Sequence, residues 1–369
     1  MRAALISLED WDDVWRRNQY LASALVEQGV LRRIVFVEPP RPGTLGWQRR
    51  DVAPGITAVR PPLSVPRRLG GLRLVASALR SELGSELGSE LLGGCDVLWV
   101  NDPVLGAHCL RGVGDGRPAV YDVTDDWREA GFPPRIRRRI VRAEDRLAAR
   151  ARTVVCSDEL RRRWRERYGV EATLVPNGVD TAAWQAATPV PLPGASPHIG
   201  YIGTLHAHRL DVELVARLAD DPRIGSVHLV GPSCLAPAEV ERLHRPGRLF
   251  LHGPVAHDAV PAWTKAMDVL VSPHVVTPFT LSLDAIKAYE YAASGRPIVA
   301  TPTSNFQQVP NARLASADTF VDAVAAAAAG HVSQVHGTAP SWQERARAFA
   351  AVLTACVDLA STGEPAAWR

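Results

Sequence analysis

The sequence is poor in lysine and cysteine, and it has no long apolar run. Its only lysines are Lys265 and Lys287, so a lysine in a candidate site stands out against a background of arginine. The five cysteines, Cys95, Cys109, Cys156, Cys234 and Cys356, stand far apart, and no CxxC pair occurs. That argues against a disulfide framework or a zinc site and for reduced thiols in a cytoplasmic protein. No stretch approaches the roughly 18 apolar residues of a membrane span. The opening MRAALISLEDWDD turns acidic directly after its short apolar run, which argues against a signal peptide. Net charge is also scarce: +3 over 369 residues is too little to demand a polyanionic partner. The remaining composition, 46 % hydrophobic and 22 % charged, is that of a soluble chain able to bury a full core. Its length suggests two domains.

Short β-branched runs alternate with helical stretches in the first half. AALISL (3–8), RIVFVEPP (33–40), DVLWV (96–100), AVYDV (119–123) and TVVCS (153–157) read as strands, and DVWRRNQYLASALVEQG (13–29) reads as a helix stopped by Gly29. Such alternation gives a parallel sheet covered by helices on both faces. The proline-rich segment 185–197 interrupts it and reads as a linker. A second series follows: HIGYIG (198–203), SVHLVG (226–231), RLFLHG (248–253), DVLVSP (268–273) and PIVAT (297–301). The expected organisation is an α/β chain of two Rossmann-like domains, 1–184 and 198–340. A final helix, 341–362, is expected to pack back on the first domain. SELGSELGSE (81–90) spaces Leu83, Leu87 and Leu91 as one stripe of a surface helix.

Ligands in such sheets sit beyond the carboxyl ends of the strands, so the residues there carry the candidate chemistry. After AVYDV come Asp125, Asp126 and Trp127. Adjacent carboxylates on an extended segment point apart, so at most one of the pair faces a ligand, where it can accept a proton from a hydroxyl; capping of the following helix is the competing explanation. After HIGYIG, Gly203 allows close backbone approach and Arg209 reaches a phosphate, but the glycine spacing is not that of a dinucleotide fingerprint. His206 and His208, with no third ligand, do not make a metal site.

LSLDAIKAYEYAASGRPIVAT (281–301) reads as a helix starting near Ser282 or Asp284 and ending at Gly295. Its N-terminus offers free amides to an anion, and Lys287 in its first turn adds a full positive charge. Glu290 lies on the same face and can accept hydrogen bonds from the vicinal hydroxyls of a ribose. An ordinary i,i+3 ion pair is the competing explanation of the two charges. The stretch 133–168 carries thirteen arginines against five acids. Ile136, Ile140, Ala143 and Leu147 form its apolar stripe, leaving the arginines on an outer face that is either solvated or turned to an anionic membrane surface or lipid-diphosphate acceptor. Interleaved aromatic platforms for nucleic acid are lacking.

LVPNGVD (174–180), GYIGTLHAHRLDVELVARLA (200–219), LFLHGPVAHDAVPAW (249–263) and IKAYEYAASGRPIVAT (286–301) together resemble the GT-B glycosyltransferases of the family-4-like group. LEDWDDVWRRNQYLASALVEQGVLRRIVFVEPP is similar to the first unit of teichuronic-acid-type members. The resemblance implies two sheets facing across a cleft and a hexosyltransferase-type enzyme. That enzyme would move a sugar from a nucleoside diphosphate to an acceptor hydroxyl, with no metal and no cofactor beyond the sugar nucleotide. Glu290 matches the second glutamate of the family's E-x7-E motif, which holds the ribose, and Ser282 stands where the first would be. In the Gly-Arg-Leu-x3-Lys motif Gly203 and Leu205 match, Thr204 replaces the arginine and Arg209 the lysine. A xanthan-pathway glucuronosyltransferase has a lysine similar to Lys287 that contacts the donor phosphate, and its catalytic aspartate matches Asp125 in VYDVTDDW. The implied donor site is therefore Gly203, Thr204, Arg209, Gly253, Thr280, Ser282, Lys287 and Glu290. Asp125, Lys287 and Arg209 are the implied catalytic groups, the aspartate favouring inversion. Trp11, Asp12, Arg17, Asp126 and Trp127 are the expected acceptor side, for a small-molecule, glycan or lipid-linked acceptor at the cytoplasmic membrane face. Ser282 and Thr204 also fit a silent homologue acting as a scaffold, and an epimerase of the same fold is the remaining alternative.

Overall fold

Strand runs that are apolar on both faces are what parallel sheets require, and the first five turn out buried almost throughout. The computed structural model describes residues 1–66, 70–84, 94–110, 117–309, 311–330 and 339–361. The chain forms two compact units, Met1–Pro176 with Trp342–Arg369, and Asn177–Ser341.

The first unit runs β1 (Arg2–Ile6), α1 (Arg17–Glu27), β2 (Arg33–Val37), β3 (Gln48–Ala53), β4 (Ile56–Arg60), α2 (Gly71–Gly84) and β5 (Val97–Val100). It continues α3 (Pro103–Cys109), β6 (Ala119–Val123), α4 (Pro134–Arg150), β7 (Arg152–Val155), α5 (Asp158–Tyr168) and β8 (Thr173–Leu174). Strand order is β3-β4-β2-β1-β5-β6-β7-β8, parallel except for β3 against β4. The chain leaves β1 in opposite directions toward β2 and β5, so the switch point lies at their carboxyl ends. Polar residues begin the helices as capping requires: Asp102 accepts from the Val104 and Leu105 amides, and Ser157 accepts from Leu160.

The second unit contains α6 (Thr181–Ala186), β9 (His198–Ile202), α7 (Val212–Asp220), β10 (Ser226–Val230), α8 (Pro237–Arg242), β11 (Leu249–Gly253) and α9 (Val260–Ala266). Then follow β12 (Val269–Ser272), α10 (Pro278–Ser282), α11 (Ile286–Ser294), β13 (Ile298–Ala300), β14 (Ala312–Leu314) and α12 (Phe320–Ala328). The order β11-β10-β9-β12-β13-β14 places its switch point between β9 and β12. One core lies on each face, around Leu214 and Phe320 on one and Ala288 and Tyr291 on the other. The last helix, α13 (Trp342–Ser361), returns to the first unit, where Trp342 stacks on Tyr20 at 4.5 Å and Phe349 lies 4.6 Å from Trp99.

Four expectations change. The division falls at Pro176 and not at 184, because α6 buries Trp184 in the second unit. The proline-rich segment is fastened to that unit: Lys265 Nζ donates to the Gln185 and Ala187 carbonyls, and Ser226 Oγ to that of Ala195. α1 begins at Arg17 and not at residue 13, because Gln19 reaches back to the Arg16 amide and the Asp12 carbonyl and holds 12–16 out of the helix. Ile136 is 43 % exposed, so the buried stripe of α4 starts at Ile140. Of the SELGSELGSE repeat, Leu87 and Leu91 lie outside the described residues.

Candidate functional site

Three glycine turns stand side by side at the carboxyl ends of β9, β10 and β11. The Gly203 amide donates to the Val230 carbonyl at 2.8 Å and the Gly231 amide to the Gly253 carbonyl at 2.8 Å. Gly203 has φ +136° and Gly231 φ +137°, and a Cβ on Gly231 would lie 2.4 Å from the Gly203 carbonyl oxygen. Only glycine fits both positions. Gly253 has φ +72° with no described atom within 4 Å of its Cβ position. The result is close-packed backbone at the strand ends beside the switch point of the second sheet, with Gly231 buried and Gly203 and Gly253 half-buried.

One cationic side chain, Lys287, lies against the Gly203 turn, and a second, Arg209, is near enough to act on the Lys287 charge. The expected helix is α11, ending at Gly295, and the expected loop before it carries the short helix α10; the two are separated where the Asp284 carboxylate accepts from the Asn177 amide and Tyr289 hydroxyl, and the Asp284 carbonyl from Asn177 Nδ2. This break starts α11 afresh at Ile286, with Ala285 giving no side-chain cap, so Lys287 does lie in a first turn with amides open to an anion. Tyr291, one turn on, takes the Ile202 amide with its hydroxyl at 2.8 Å and ties α11 to β9. Lys287 Nζ therefore sits 3.7 Å from the Tyr201 ring centroid and 3.0 Å from where a Gly203 Cβ would be. Arg209, half-buried, lies with its guanidinium 5.0 Å from the Phe279 ring and its Nε 3.3 Å from His208.

Glu290 is half-buried on α11 and forms no ion pair with Lys287 among the described residues, so the surface-pair explanation does not describe it. Burial raises its carboxyl to about 7 against the opposing charge of Lys287. Burial lowers Lys287 to about 7, and the Arg209 charge acts the same way. His206 falls to about 4 through burial and the charges of Arg209, His208 and Lys287. Burial is the first cause of each shift, and the neighbouring positive charges add to it at Lys287 and His206.

Thr204 lies at the Gly203 turn, its carbonyl accepting from the Tyr201 hydroxyl at 3.4 Å. Thr280 and Ser282 are placed differently from expectation. Both are fully buried, Thr280 Oγ1 donating to the Val275 carbonyl and Ser282 Oγ to that of Phe279, so neither side chain is presented to a ligand. No cluster of three or more metal-ligating side chains occurs among the described residues.

In the first unit Asp125 is half-buried just past β6, while Asp126 is buried and clamped by Arg163 at 2.7 Å and Arg167 at 2.8 Å. Burial works to raise Asp126, but the two arginines outweigh it and lower its pKa. Asp126 therefore holds α5 to the β6 loop and is not an acceptor contact. Arg17 is likewise committed, its buried Nε 3.0 Å from Asp122 Oδ2. Trp11 is buried edge-on to Phe36 at 5.2 Å. Asp12 remains on the surface, binding Arg16 at 2.9 Å, and Trp127 stacks on Phe132 at 6.4 Å. A carboxylate absent from the expected set is Glu9, past the end of β1. Burial raises it to about 7, Arg16 opposing and Asp125 and Asp12 reinforcing. The same strand-end rule that selected Asp125 would have found it.

The Glycosyltransferase Family 4 model matches residues 14–183, and the Glycosyl transferases group 1 model matches residues 196–333. A Bacillus subtilis (strain 168) protein described as a teichuronic acid biosynthesis glycosyltransferase is 24 % identical over 334 residues, covering 83 % of this chain and 82 % of its own. Sucrose-phosphate synthase from Thermosynechococcus elongatus shares the fold with a TM-score of 0.70 at 18 % identity, over 98 % of both chains. The Anabaena protein HepE, solved in complex with UDP, has a TM-score of 0.59 at 14 % identity, over 98 % of this chain and 99 % of its own. Two parallel α/β units, each matched in order by a model of this group, make the chain a member of the family-4-like GT-B glycosyltransferases.

Proposed function

We propose that the second unit binds a nucleoside-diphosphate sugar and that the chain transfers its hexosyl group to an acceptor hydroxyl presented by the first unit. The observation that carries this reading is the Lys287 ammonium beside the bare Gly203 turn, with Glu290 one turn further along α11. The diphosphate lies on the glycine turns, where Lys287, Arg209 and the first amides of α11 take up its charge. Glu290 accepts from the ribose hydroxyls. UDP in the HepE complex and UDP-2-fluoro glucose bound to the E. coli trehalose-6-phosphate protein, of the same fold, support a nucleotide donor.

In the transfer step Asp125 takes the acceptor hydroxyl proton as that oxygen bonds the anomeric carbon. The bond from that carbon to the diphosphate oxygen breaks, and the departing charge falls on Lys287 and Arg209. No metal is needed, because these cations occupy its role. Attack from the face opposite the leaving group inverts the anomeric centre. The acceptor belongs to polysaccharide or natural-product synthesis, in keeping with the teichuronic acid relative.

The exposed side chains of Phe132 and Ile136 lie among the arginines at the start of α4, with Arg135, Arg137, Arg138 and Arg139 all exposed. An apolar pair ringed by positive charge suits an anionic membrane surface that carries a lipid-linked acceptor. No helix among the described residues is long and apolar enough to cross a membrane. A second reading, a donor-binding subunit without turnover, is favoured by the burial of Ser282, which leaves the first glutamate position with nothing to offer a sugar. Turnover separates the two. Nucleoside diphosphate released from an α-linked donor in the presence of a lipid-linked or soluble glycan acceptor, with a β-linked product by NMR, supports inverting transfer. Retention assigns Asp125 another role, and donor binding without product over an acceptor panel supports the second reading.

A further inference from the structure

The half-buried Lys287 side chain lays its ammonium against a ring, where an enclosed cation ordinarily has a carboxylate. Its Nζ is 3.7 Å from the centroid of Tyr201, and no ion pair joins it to Glu290 or to any other carboxylate among the described residues. Tyr201 is 2 % exposed in β9. Its hydroxyl donates to the Thr204 carbonyl at 3.4 Å and meets His274 Nε2 at 3.3 Å, which fixes the ring at the switch point. The Gly203 turn also borders the ammonium, and its missing Cβ, which would lie 3.0 Å from Nζ, leaves it room.

A carboxylate here would neutralise the lysine and compete with an incoming phosphate. An aromatic face attracts the cation without carrying a net charge. Burial pushes the Tyr201 phenol up, so the ring is neutral and acts through its face, not as a phenolate. We propose that Tyr201 is the positioning residue of the donor site: its ring holds the Lys287 ammonium over the Gly203 turn in place of a counter-ion, leaving that charge for the diphosphate. This rests on the nucleotide-donor reading of the second unit.

The groups around the lysine agree with that assignment. Arg209 repels it from the loop after β9, and Glu290 attracts it from its own helix. His206 on the loop and His274 after β12 are held neutral by burial together with the charges of Arg209 and Lys287. The ammonium thus titrates near neutral pH in the free protein, with the ring face 3.7 Å away, and an arriving diphosphate secures the proton.

Two lysines in the whole sequence make the test direct. Lysine carrying 13C at Cε gives two NMR signals from the full chain, and Lys287→Met identifies the one to follow. At position 201 the tyrosine is exchanged for phenylalanine, which keeps the ring face, and for pentafluorophenylalanine, which is close to it in shape and reverses the face's charge. The wild-type Lys287 signal is expected to titrate near 7 and to stay close to that with Tyr201→Phe. With the fluorinated ring it is expected to fall by about half a unit to one unit, and UDP or GDP binding at pH 7.5 to weaken about three- to tenfold. An unmoved Lys287 midpoint with the fluorinated ring overturns the assignment. Because the titration is read in the free protein, wild type that binds no nucleoside diphosphate counts against the donor reading alone, while the lysine signal still decides the role of the ring.

Discussion

Arg17 and Asp122 form a bidentate ion pair inside the first unit, the guanidinium 4 % and the carboxylate 0 % exposed, with Arg17 Nε and NH2 both within hydrogen-bond distance of the Asp122 oxygens. Asn18 lies beside it, donating to Asn101, whose own amide donates to the Asp122 carbonyl. This network fastens the start of α1 to β5 and β6. Removing one charge strands the other, so Arg17→Met or Asp122→Asn should each cost about 3–5 kcal/mol. The double variant should cost less than the sum. Denaturant unfolding of the four proteins tests this, and additive losses would place the two residues in separate interactions.

Glycine at 203 and at 253 has different reasons, and alanine should tell them apart. Gly203→Ala combines φ +136° with a Cβ 3.0 Å from Lys287 Nζ, so it should displace the ammonium and weaken nucleoside diphosphate binding by more than about tenfold. Gly253→Ala has φ +72° and open space, so it should cost only about 1–2 kcal/mol of stability. Equal losses of binding in the two variants would show that the Gly203 turn is not the phosphate seat.

The second sheet carries a histidine chain that should make the protein acid-sensitive. His228, 0 % exposed, meets Ser226 Oγ at 2.9 Å and His252 Nε2 at 3.0 Å, and Ser226 Oγ also meets His198 Nδ1 at 2.7 Å. Burial, then the neighbouring histidines, lowers His228 to about 4. Above the ordinary histidine range neither folded nor unfolded chain is protonated there, and pH has no effect through this group. Between about 6.5 and 4 only the unfolded chain takes the proton, so stability falls, by up to about 3 kcal/mol. His228→Gln should flatten unfolding midpoints over this window. Wild type equally stable at pH 7 and pH 4.5 would contradict a neutral His228.

How far the sequence could be read differs between these features. Strand ends are legible, because buried β-branched runs followed by polar residues mark them locally, and Gly203 and Asp125 do stand just past β9 and β6. Which side chain then turns inward is not. Asp126 and Asp125 are adjacent, and only Arg163 and Arg167, on a helix that follows β7, decide that Asp126 is the clamped one. Arg17, Trp11, Thr280 and Ser282, expected at the site from the family resemblance, are held inward by contacts no periodicity reveals. The break between α10 and α11 depends on Asn177, 107 positions from Asp284. Tyr201 lies in the middle of an apolar strand with no local mark in the sequence, and only the position of Lys287 on its face sets it apart.

Glu9 adds a second carboxylate to the Asp125 neighbourhood and should shape the pH dependence of transfer. Its folded pKa of about 7 lies above the ordinary value, so its protonated form is stabilising at low pH and that contribution is lost as pH rises through 7. Because the side chain is 34 % exposed, Glu9→Gln should gain less than about 1 kcal/mol of stability at pH 8 over pH 5. Asp125→Asn should lower turnover by about two to four orders of magnitude at every pH. Glu9→Gln should leave turnover within about tenfold and move the acid limb of the profile. A Glu9→Gln loss as deep as that of Asp125→Asn would make Glu9 the base.

The most direct measurement is calorimetric titration of UDP, GDP, ADP and dTDP into wild type and Glu290→Ala. The account predicts that wild type binds one of them and that the substitution weakens it at least about tenfold, the loss expected for hydrogen bonds to a charged acceptor. A wild-type protein that binds none, or a Glu290→Ala protein that binds as tightly, would contradict the assignment of the donor site.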